Sequence, residues 1–136
     1  LKYYSAVLAD DGCIYCPPFD ANMVLRIDPV EDVVTTIGPD LGAGSKKWYD
    51  ATVGDDGRIY CLPCQASRLL CIDPTVPTAS LFGEDMRAAS LFTAGEPRCR
   101  QWISAVLAND GSMYCAPCDA RKVLRISTPL MRKLEG

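Results

Sequence analysis

Cysteine is the most reactive side chain in this sequence, because the 136 residues include eight cysteines and no histidine. Six of the cysteines form three Cys-x-x-Cys pairs, which are Cys13/Cys16, Cys61/Cys64 and Cys115/Cys118. Two such pairs can supply the four thiolates of a zinc site. The absence of histidine excludes Ser-His-Asp hydrolysis, Cys-His proteolysis and histidine-ligated metals. Thiolates and carboxylates are therefore the reactive groups whose positions in the fold need to be found.

The candidate ligands of a zinc site are the second and third pairs, Cys61, Cys64, Cys115 and Cys118. The two pairs of a zinc site are usually about 15–20 residues apart, whereas Cys115 lies 51 positions after Cys64. Residues three apart in an extended strand point to opposite faces, so each pair converges only if the chain turns at Pro63 and Pro117. The sequence accordingly favours buried apolar cysteines and no cofactor. Zinc, a redox-active pair and structural disulfides are the alternatives.

Carboxylates occur in two Asp-Asp-Gly segments, residues 10–12 and 55–57, and at Asp20, Asp50 and Asp119. The two segments lack the alternating oxygen ligands and terminal Glu of an EF-hand calcium loop. Asp-Gly between apolar runs instead predicts a hairpin turn. The three single aspartates could face a common rim, as a pair of catalytic carboxylates must. Nothing in the sequence places them there, so we assign no catalytic residue.

Three segments of the chain align without gaps, namely residues 3–29, 48–74 and 102–128. Gly12, Gly57 and Gly111 are equivalent and lie 45 and 54 residues apart, the longer spacing being due to an insertion at about residues 84–98. One cysteine recurs in every repeat, at Cys16, Cys61 and Cys115. Self-similarity at this spacing indicates stacked copies of one structural unit.

Each repeat contains short apolar runs of strand character separated by turn residues. In the first repeat these runs cover residues 5–9, 13–17, 24–28 and 33–37. Four antiparallel strands recurring every 40–50 residues or so are typical of a β-propeller blade. We therefore predict an all-β fold, one propeller region with three four-stranded antiparallel blades at about residues 3–39, 48–83 and 102–134. Stacked blades would bury both faces of each strand, and the last strand of the third blade would lie within residues 129–134.

Four features recur across the repeats: a glycine turn, a tyrosine in the next strand, a proline after it, and the end of the third strand. Their positions are Gly12/Gly57/Gly111, Tyr15/Tyr60/Tyr114, Pro18/Pro63/Pro117 and Ile27-Asp28/Ile72-Asp73/Ile126-Ser127. This pattern resembles kelch and other short-repeat propeller families. The Gly-Gly doublet of kelch proteins is replaced by Ser5-Ala6, Asp50-Ala51 and Ser104-Ala105. The resemblance implies a propeller that serves as a binding platform, and it implies no catalytic residue.

An aromatic residue begins each repeat, at Tyr3, Trp48 and Trp102. We expect these residues to be packing anchors at the start of each blade. The alternative is a set of platforms on which sugars or bases stack.

Three blades are fewer than the four to eight or so of a closed propeller. They would leave sheet faces and strand edges exposed, so we expect completion by a longer chain, by a protein partner or by self-association into a ring. Residues 1–97 carry a net charge of −7 and residues 98–136 a net charge of +4. This asymmetry suits either solvated faces or an acidic and a basic edge that meet. The overall charge of −3 argues against nucleic acid, and the sequence lacks the run of about 18 apolar residues that predicts a membrane span.

These features favour a non-enzymatic protein-binding or scaffold module, as a peripheral subunit or a fragment of a larger assembly. Loops on a rigid scaffold often carry function, so the apolar centre of the insertion supplies the candidate partner-binding residues Met86, Leu91 and Phe92. The alternatives are a propeller enzyme, lactonase- or glycosidase-like, using carboxylates and a metal, and a lectin-like sugar binder. The compartment stays open. A cysteine in every repeat favours a reducing, intracellular one, while eight cysteines also suit an oxidising one.

Overall fold

A computed structural model of the chain describes residues 1–85, 102–118, 120 and 122–127, which form three antiparallel β-sheets and no helix. The first sheet consists of β1 (Val7–Leu8), β2 (Ile14–Cys16), β3 (Val24–Asp28) and β4 (Val33–Ile37). The second consists of β5 (Trp48–Val53), β6 (Ile59–Pro63), β7 (Leu69–Asp73) and β8 (Thr78–Phe82). The third consists of β9 (Trp102–Leu107), β10 (Met113–Pro117) and β11 (Leu124–Ile126).

Each sheet is a meander in which strands adjacent in sequence pair with each other. The predicted all-β architecture of antiparallel blades is confirmed, and β3 and β4 have the predicted bounds. The fourth strand predicted for the third blade, within residues 129–134, lies outside the described residues.

The Asp-Gly segments form the predicted hairpin turns. Gly12 has a φ of 82°, and the turn is closed by hydrogen bonds of 3.0 Å from Gly12 N to Ala9 O and from Ala9 N to Cys13 O. Asp11 Oδ1 accepts a hydrogen bond of 2.8 Å from Cys13 N. Glycine adopts this left-handed conformation without the steric cost that a β-carbon would bring. The aspartate therefore stabilises its own turn, and the same arrangement recurs at Asp56 and Asp110.

The first strand is shorter than predicted, because β1 covers Val7–Leu8 and the prediction covered residues 5–9. The pairing of β1 with β2 covers only Val7 with Tyr15 and Leu8 with Ile14. In the second sheet the pairing shifts register between Trp48 and Asp50. In the first sheet the equivalent aromatic, Tyr3, makes only an isolated bridge to Pro18.

The sheets pack face to face, with β5 lying between β1 and β9. Buried residues form one core between the first and second sheets, which includes Tyr15, Val24, Trp48, Cys61, Leu70 and Ile72. A second core lies between the second and third sheets and includes Tyr60, Leu62, Leu69, Trp102, Met113, Cys115 and Ile126. We call the face of each sheet that is turned toward the following sheet its forward face, and the opposite one its rear face.

The expectation that both faces of every strand are buried is wrong for the outer sheets. Leu8 is 65% exposed in the first sheet, and Val106 and Val123 are 65% and 61% exposed in the third. Among the described sheets, the second is the one with a sheet on each side, and its strand β6 is buried throughout. Burial thus follows the number of neighbouring sheets.

Candidate functional site

Strand connections emerge at two opposite ends of the sheets, because successive antiparallel strands reverse direction. One end, here called the connector face, carries the links between sheets and the loops between second and third strands. Its described residues are 17–23, 38–47, 64–68, 83–85, 118, 120, 122 and 123. The other end, the turn face, carries residues 9–13, 29–32, 54–58, 74–77 and 108–112.

The connector face contains an open cleft of about 360 Å³ at the first and second sheets. Its walls come from the link between these sheets, residues 38–47, and from the β6–β7 loop, residues 64–68. The lining residues are Leu41, Gly44, Ser45, Lys47, Trp48, Gln65, Ala66, Ser67, Arg68 and Leu81. The cleft therefore combines two cations, several hydrogen-bonding groups and an apolar wall. Such a mixture suits binding.

Lys47 is the buried cation of the cleft, with 6% of its surface exposed. Its Nζ donates a hydrogen bond of 2.5 Å to the carbonyl of Gly44. Its backbone joins the two sheets, since Lys47 N donates to Phe19 O at 2.9 Å and Lys47 O accepts from Cys64 N at 2.8 Å. Burial lowers the pKa of Lys47, while the carboxylates of Asp20 and Asp40 act in the opposite direction. The side chain and backbone of Lys47 thus stabilise the link between the first and second sheets.

Arg68 connects the cleft to the start of the insertion. Its Nε donates a hydrogen bond of 2.8 Å to the carbonyl of Gly83, and its Nη2 donates to the same oxygen. Gly83 directly follows β8, so this contact holds the first residue of the β8–β9 connection against the cleft wall. The candidate partner-binding residues Met86, Leu91 and Phe92 lie outside the described residues.

The repeated aromatic residues are packing anchors, as predicted. Trp48 Nε1 donates a hydrogen bond of 2.8 Å to Arg68 O, and Trp102 Nε1 donates one of 2.9 Å to Lys122 O. Tyr3 OH donates the equivalent bond to Met23 O at 2.9 Å. Trp48 and Trp102 are only 2% and 1% exposed. Neither indole therefore presents a face on which a sugar or base could stack, whereas Tyr3 is half-buried.

Asp50 is a half-buried carboxylate on β5, the innermost strand of the second sheet. Burial raises its pKa, and a hydrogen bond from its neighbour Ala51 opposes that shift. A carboxyl group of this kind can retain a proton at a higher pH than an exposed one. Asp20 and Asp119 are the other two aspartates that could have shared a rim with Asp50. Asp20 Oδ1 accepts a hydrogen bond of 2.9 Å from Lys46 N, and Asp119 lies outside the described residues.

The four predicted thiolate ligands lie in different surroundings. Cys61 belongs to the core between the first and second sheets, whereas Cys64 and Cys115 belong to the core between the second and third. Cys118 is exposed. Within the described parts of the chain, no three or more cysteines or carboxylates come together as a metal site would require. This placement lends no support to the zinc hypothesis.

The buried thiols are also poor nucleophiles where they stand. Burial raises the pKa of Cys61 well above its ordinary value, and it raises the pKa of Cys115 to about 12. The carboxylate of Asp50 contributes to both shifts. Because the thiolate is the reactive form, both cysteines are unreactive at neutral pH. Of the seven cysteines that the structure describes, Cys118 is exposed and the other six are buried, which supports the apolar interpretation for those six.

The turn face carries a charged cluster that the sequence interpretation did not assign. In the first sheet, Tyr15 OH donates a hydrogen bond of 2.8 Å to Asp11 Oδ2, and Arg26 donates to Tyr15 OH at 3.3 Å and to Cys13 Sγ at 3.1 Å. In the third sheet Arg125 takes the place of Arg26 and donates to a serine hydroxyl at 3.0 Å.

The second sheet exchanges the two positions. Arg58 stands where the first sheet has Cys13, and Cys71 stands where it has Arg26. Arg58 lies 3.7 Å from Asp56 and 3.5 Å from Asp73, so the sheet still has one guanidinium at this place. The exchange is visible when the repeats are aligned. It can be recognised as an exchange once the strands next to these two positions are known to pair.

No protein-family model matches the sequence, and no curated protein matches it. Solved structures do match. Streptogramin B lyase superposes with a TM-score of 0.68 over 93% of this chain at 16% identity. The virginiamycin B lyase of Staphylococcus aureus, in a catalytically inactive form with quinupristin, gives a TM-score of 0.60 over 94% at 13% identity. The extracellular domain of a one component system from B. thetaiotaomicron gives 0.59 over 93% at 14% identity.

At these identities the likeness concerns the fold, and the fold is that of a β-propeller. This chain covers 37% and 42% of the two lyases and 15% of the sensor domain, so it corresponds to part of each of them. The predicted propeller architecture is therefore confirmed. Among the residues that the structure describes, no helix is long and apolar enough to cross a membrane.

Proposed function

We propose that this chain is a propeller segment, with blades at about residues 3–39, 48–83 and 102–134, that acts as a non-enzymatic protein-binding or scaffold module. Its contact surface is the connector face, and its open ends are completed by protein. The kelch-like role as a binding platform and an intracellular location belong to the same proposal.

One observation carries this proposal: the insertion starts at the wall of the cleft. Supporting this, Arg68 in the cleft wall donates two hydrogen bonds to the carbonyl of Gly83, the residue that directly precedes the insertion. We infer that a partner bound at this cleft also contacts the apolar residues of the insertion. Met86, Leu91 and Phe92 are the residues of that segment with the largest apolar area to bury.

The test uses a photo-reactive amino acid at one position of each face, in the protein expressed in its source cells. We expect Ser67, on the cleft wall, to give a discrete protein adduct, and we expect Thr75, on the turn face, to give none. Replacing Met86, Leu91 and Phe92 together by alanine should remove the adduct while the thermal unfolding midpoint is retained. Equal adducts from both faces, or an adduct that survives the triple substitution, would contradict the proposal.

A propeller enzyme is the second candidate, and Asp50 is the observation that favours it. A half-buried carboxylate with a raised pKa on an innermost strand is the type of group that acid–base catalysis uses. The assay is turnover of a panel of lactones and glycosides, with Asp50→Asn as the matched variant. Turnover that disappears with Asp50→Asn would favour the enzyme over the binding module.

A further inference from the structure

The forward face of the third sheet exposes side chains whose equivalents are buried in the other two sheets. Tyr114 is 40% exposed, whereas Tyr15 and Tyr60 are fully buried. Val123 is 61% exposed, while its equivalents Val24 and Leu69 are 0% and 2% exposed. An apolar surface of this kind on a sheet is typical of an interface.

The rear face of the first sheet likewise exposes side chains whose equivalents are buried in the second sheet. Ile14 and Leu25 are half-buried, although the equivalent Ile59 and Leu70 of the second sheet are fully buried. Leu8 is 65% exposed. Within the part of the chain that the structure describes, the stack of three sheets therefore ends in an uncovered forward face on the third sheet and an uncovered rear face on the first.

The contact between the first and second sheets shows how such faces fit together. Val7 on the forward face of the first sheet and Val53 on β5 of the second both pack against the same apolar core. Their equivalents on the open faces are Val106 and Leu8, each 65% exposed. If the forward face of the third sheet in one copy packed on the rear face of the first sheet in another copy, Val106 would lie against Leu8.

We propose that the third sheet of one chain docks on the first sheet of a second copy of this chain, so that two copies close a six-bladed ring. The inference rests on the proposed function, in which the open ends are completed by protein, and it names the partner. The contact is head-to-tail, and a rotation that closes it ends the assembly at two chains. Six blades lie within the usual range of about four to eight.

The first measurement is the mass in solution by sedimentation equilibrium. We expect a dimer of the 14.8 kDa chain. Val106→Glu and Leu8→Arg should each raise the dimer dissociation constant by about 100-fold or more, because each places an unpaired charge in an apolar contact. Val76→Glu is the matched control, since Val76 is also 65% exposed but lies in the β7–β8 turn, and it should leave the dimer intact.

Mixing the two dissociated variants tests the head-to-tail geometry. Each retains the face that the other has lost, so an equal mixture of Val106→Glu and Leu8→Arg should form dimers again. Circular dichroism of each variant checks that it is folded. A monomeric chain, a dimer that survives both substitutions, or a mixture that stays monomeric would overturn the inference. None of these results affects the photo-adduct at Ser67, which tests the proposed function separately.

Discussion

The second and third sheets carry related residues at equivalent positions but place them in different surroundings. Tyr60 is fully buried and its hydroxyl lies 2.7 Å from Asp56, whereas Tyr114 is 40% exposed and lies 3.5 Å from Asp110. The central sheet has a packed neighbour on each face, and the third has its described neighbour on its rear face. A repeat therefore determines which way a side chain points, while the neighbouring sheet determines whether that side chain is buried and how tightly its hydrogen bonds are held.

We expect the largest effect on the free energy of unfolding when one equivalent apolar side chain is truncated to alanine, first in the second sheet and then in the third. In the Val106→Glu background, which prevents docking, Leu69→Ala should cost about 3 kcal/mol, because Leu69 is 2% exposed and its removal leaves a cavity. Val123→Ala at the equivalent position should cost less than about 0.5 kcal/mol. Urea unfolding measures both. Equal costs in the two sheets would show that the third sheet is already covered within one chain.

The second comparison is the exchanged pair on the turn face. Cys71→Arg alone should place two guanidinium groups together, and Arg58→Cys alone should leave Asp56 and Asp73 without their cation. The double substitution restores the arrangement of the first sheet. We expect each single substitution to cost about 1–2 kcal/mol and the double to recover most of it, giving a coupling free energy of at least about 1 kcal/mol.

A double-mutant cycle from urea unfolding provides this coupling. Strictly additive costs would contradict the interpretation, because they would mean that the two positions act independently. Arg68→Lys, at the cleft on the opposite end of the same sheet, is the control and should add independently to either single substitution.

The smallest expected effect is a loss of stability at alkaline pH. It arises because the buried tyrosines have a higher pKa than the tyrosines of the unfolded chain. Burial and the hydrogen bond to Asp11 raise the pKa of Tyr15 to about 12, and burial raises the pKa of Tyr60 as well. The ordinary value is about 10. A raised pKa in the folded state gives a contribution to stability that is complete below pH 10 and is lost as the pH rises toward 12.

Absorbance of the phenolate band measures this directly. Tyr15→Phe should remove the step near pH 12 and flatten the loss of stability above pH 10. The same titration in urea, where all tyrosines are solvated, is the control. A Tyr15 that ionises near pH 10 in the folded protein would contradict the role given to its hydrogen bond.

Much of the architecture could be predicted from local pattern. The bounds of β3 and β4, the glycine turns and the buried aromatic anchors follow from residue type and spacing, because each depends on a few neighbouring residues. The start of β1 could not be predicted, since it depends on where the pairing with β2 begins, and the apolar run of residues 5–9 does not mark that point. The separation of Cys61 from Cys64 into two cores follows from strand alternation, and the placement of Cys64 and Cys115 in the same core needed the packing of two sheets.

The candidate site was less predictable. The role of residues 38–47 as a cleft wall could not be predicted, because it required the β6–β7 loop to lie opposite them. The contact between Arg68 and Gly83 joins residues in different loops and carries no sequence signal.

The amino-acid sequence by itself determined the repeat, the four-stranded meander and the direction of each side chain, because strand alternation and turn conformation are local properties. Only the tertiary structure decided which faces are buried and where the cleft lies. These depend on sheets stacked on one another, and stacking joins residues that are distant along the chain. Equivalent residues such as Leu69 and Val123 therefore have the same orientation but very different exposure.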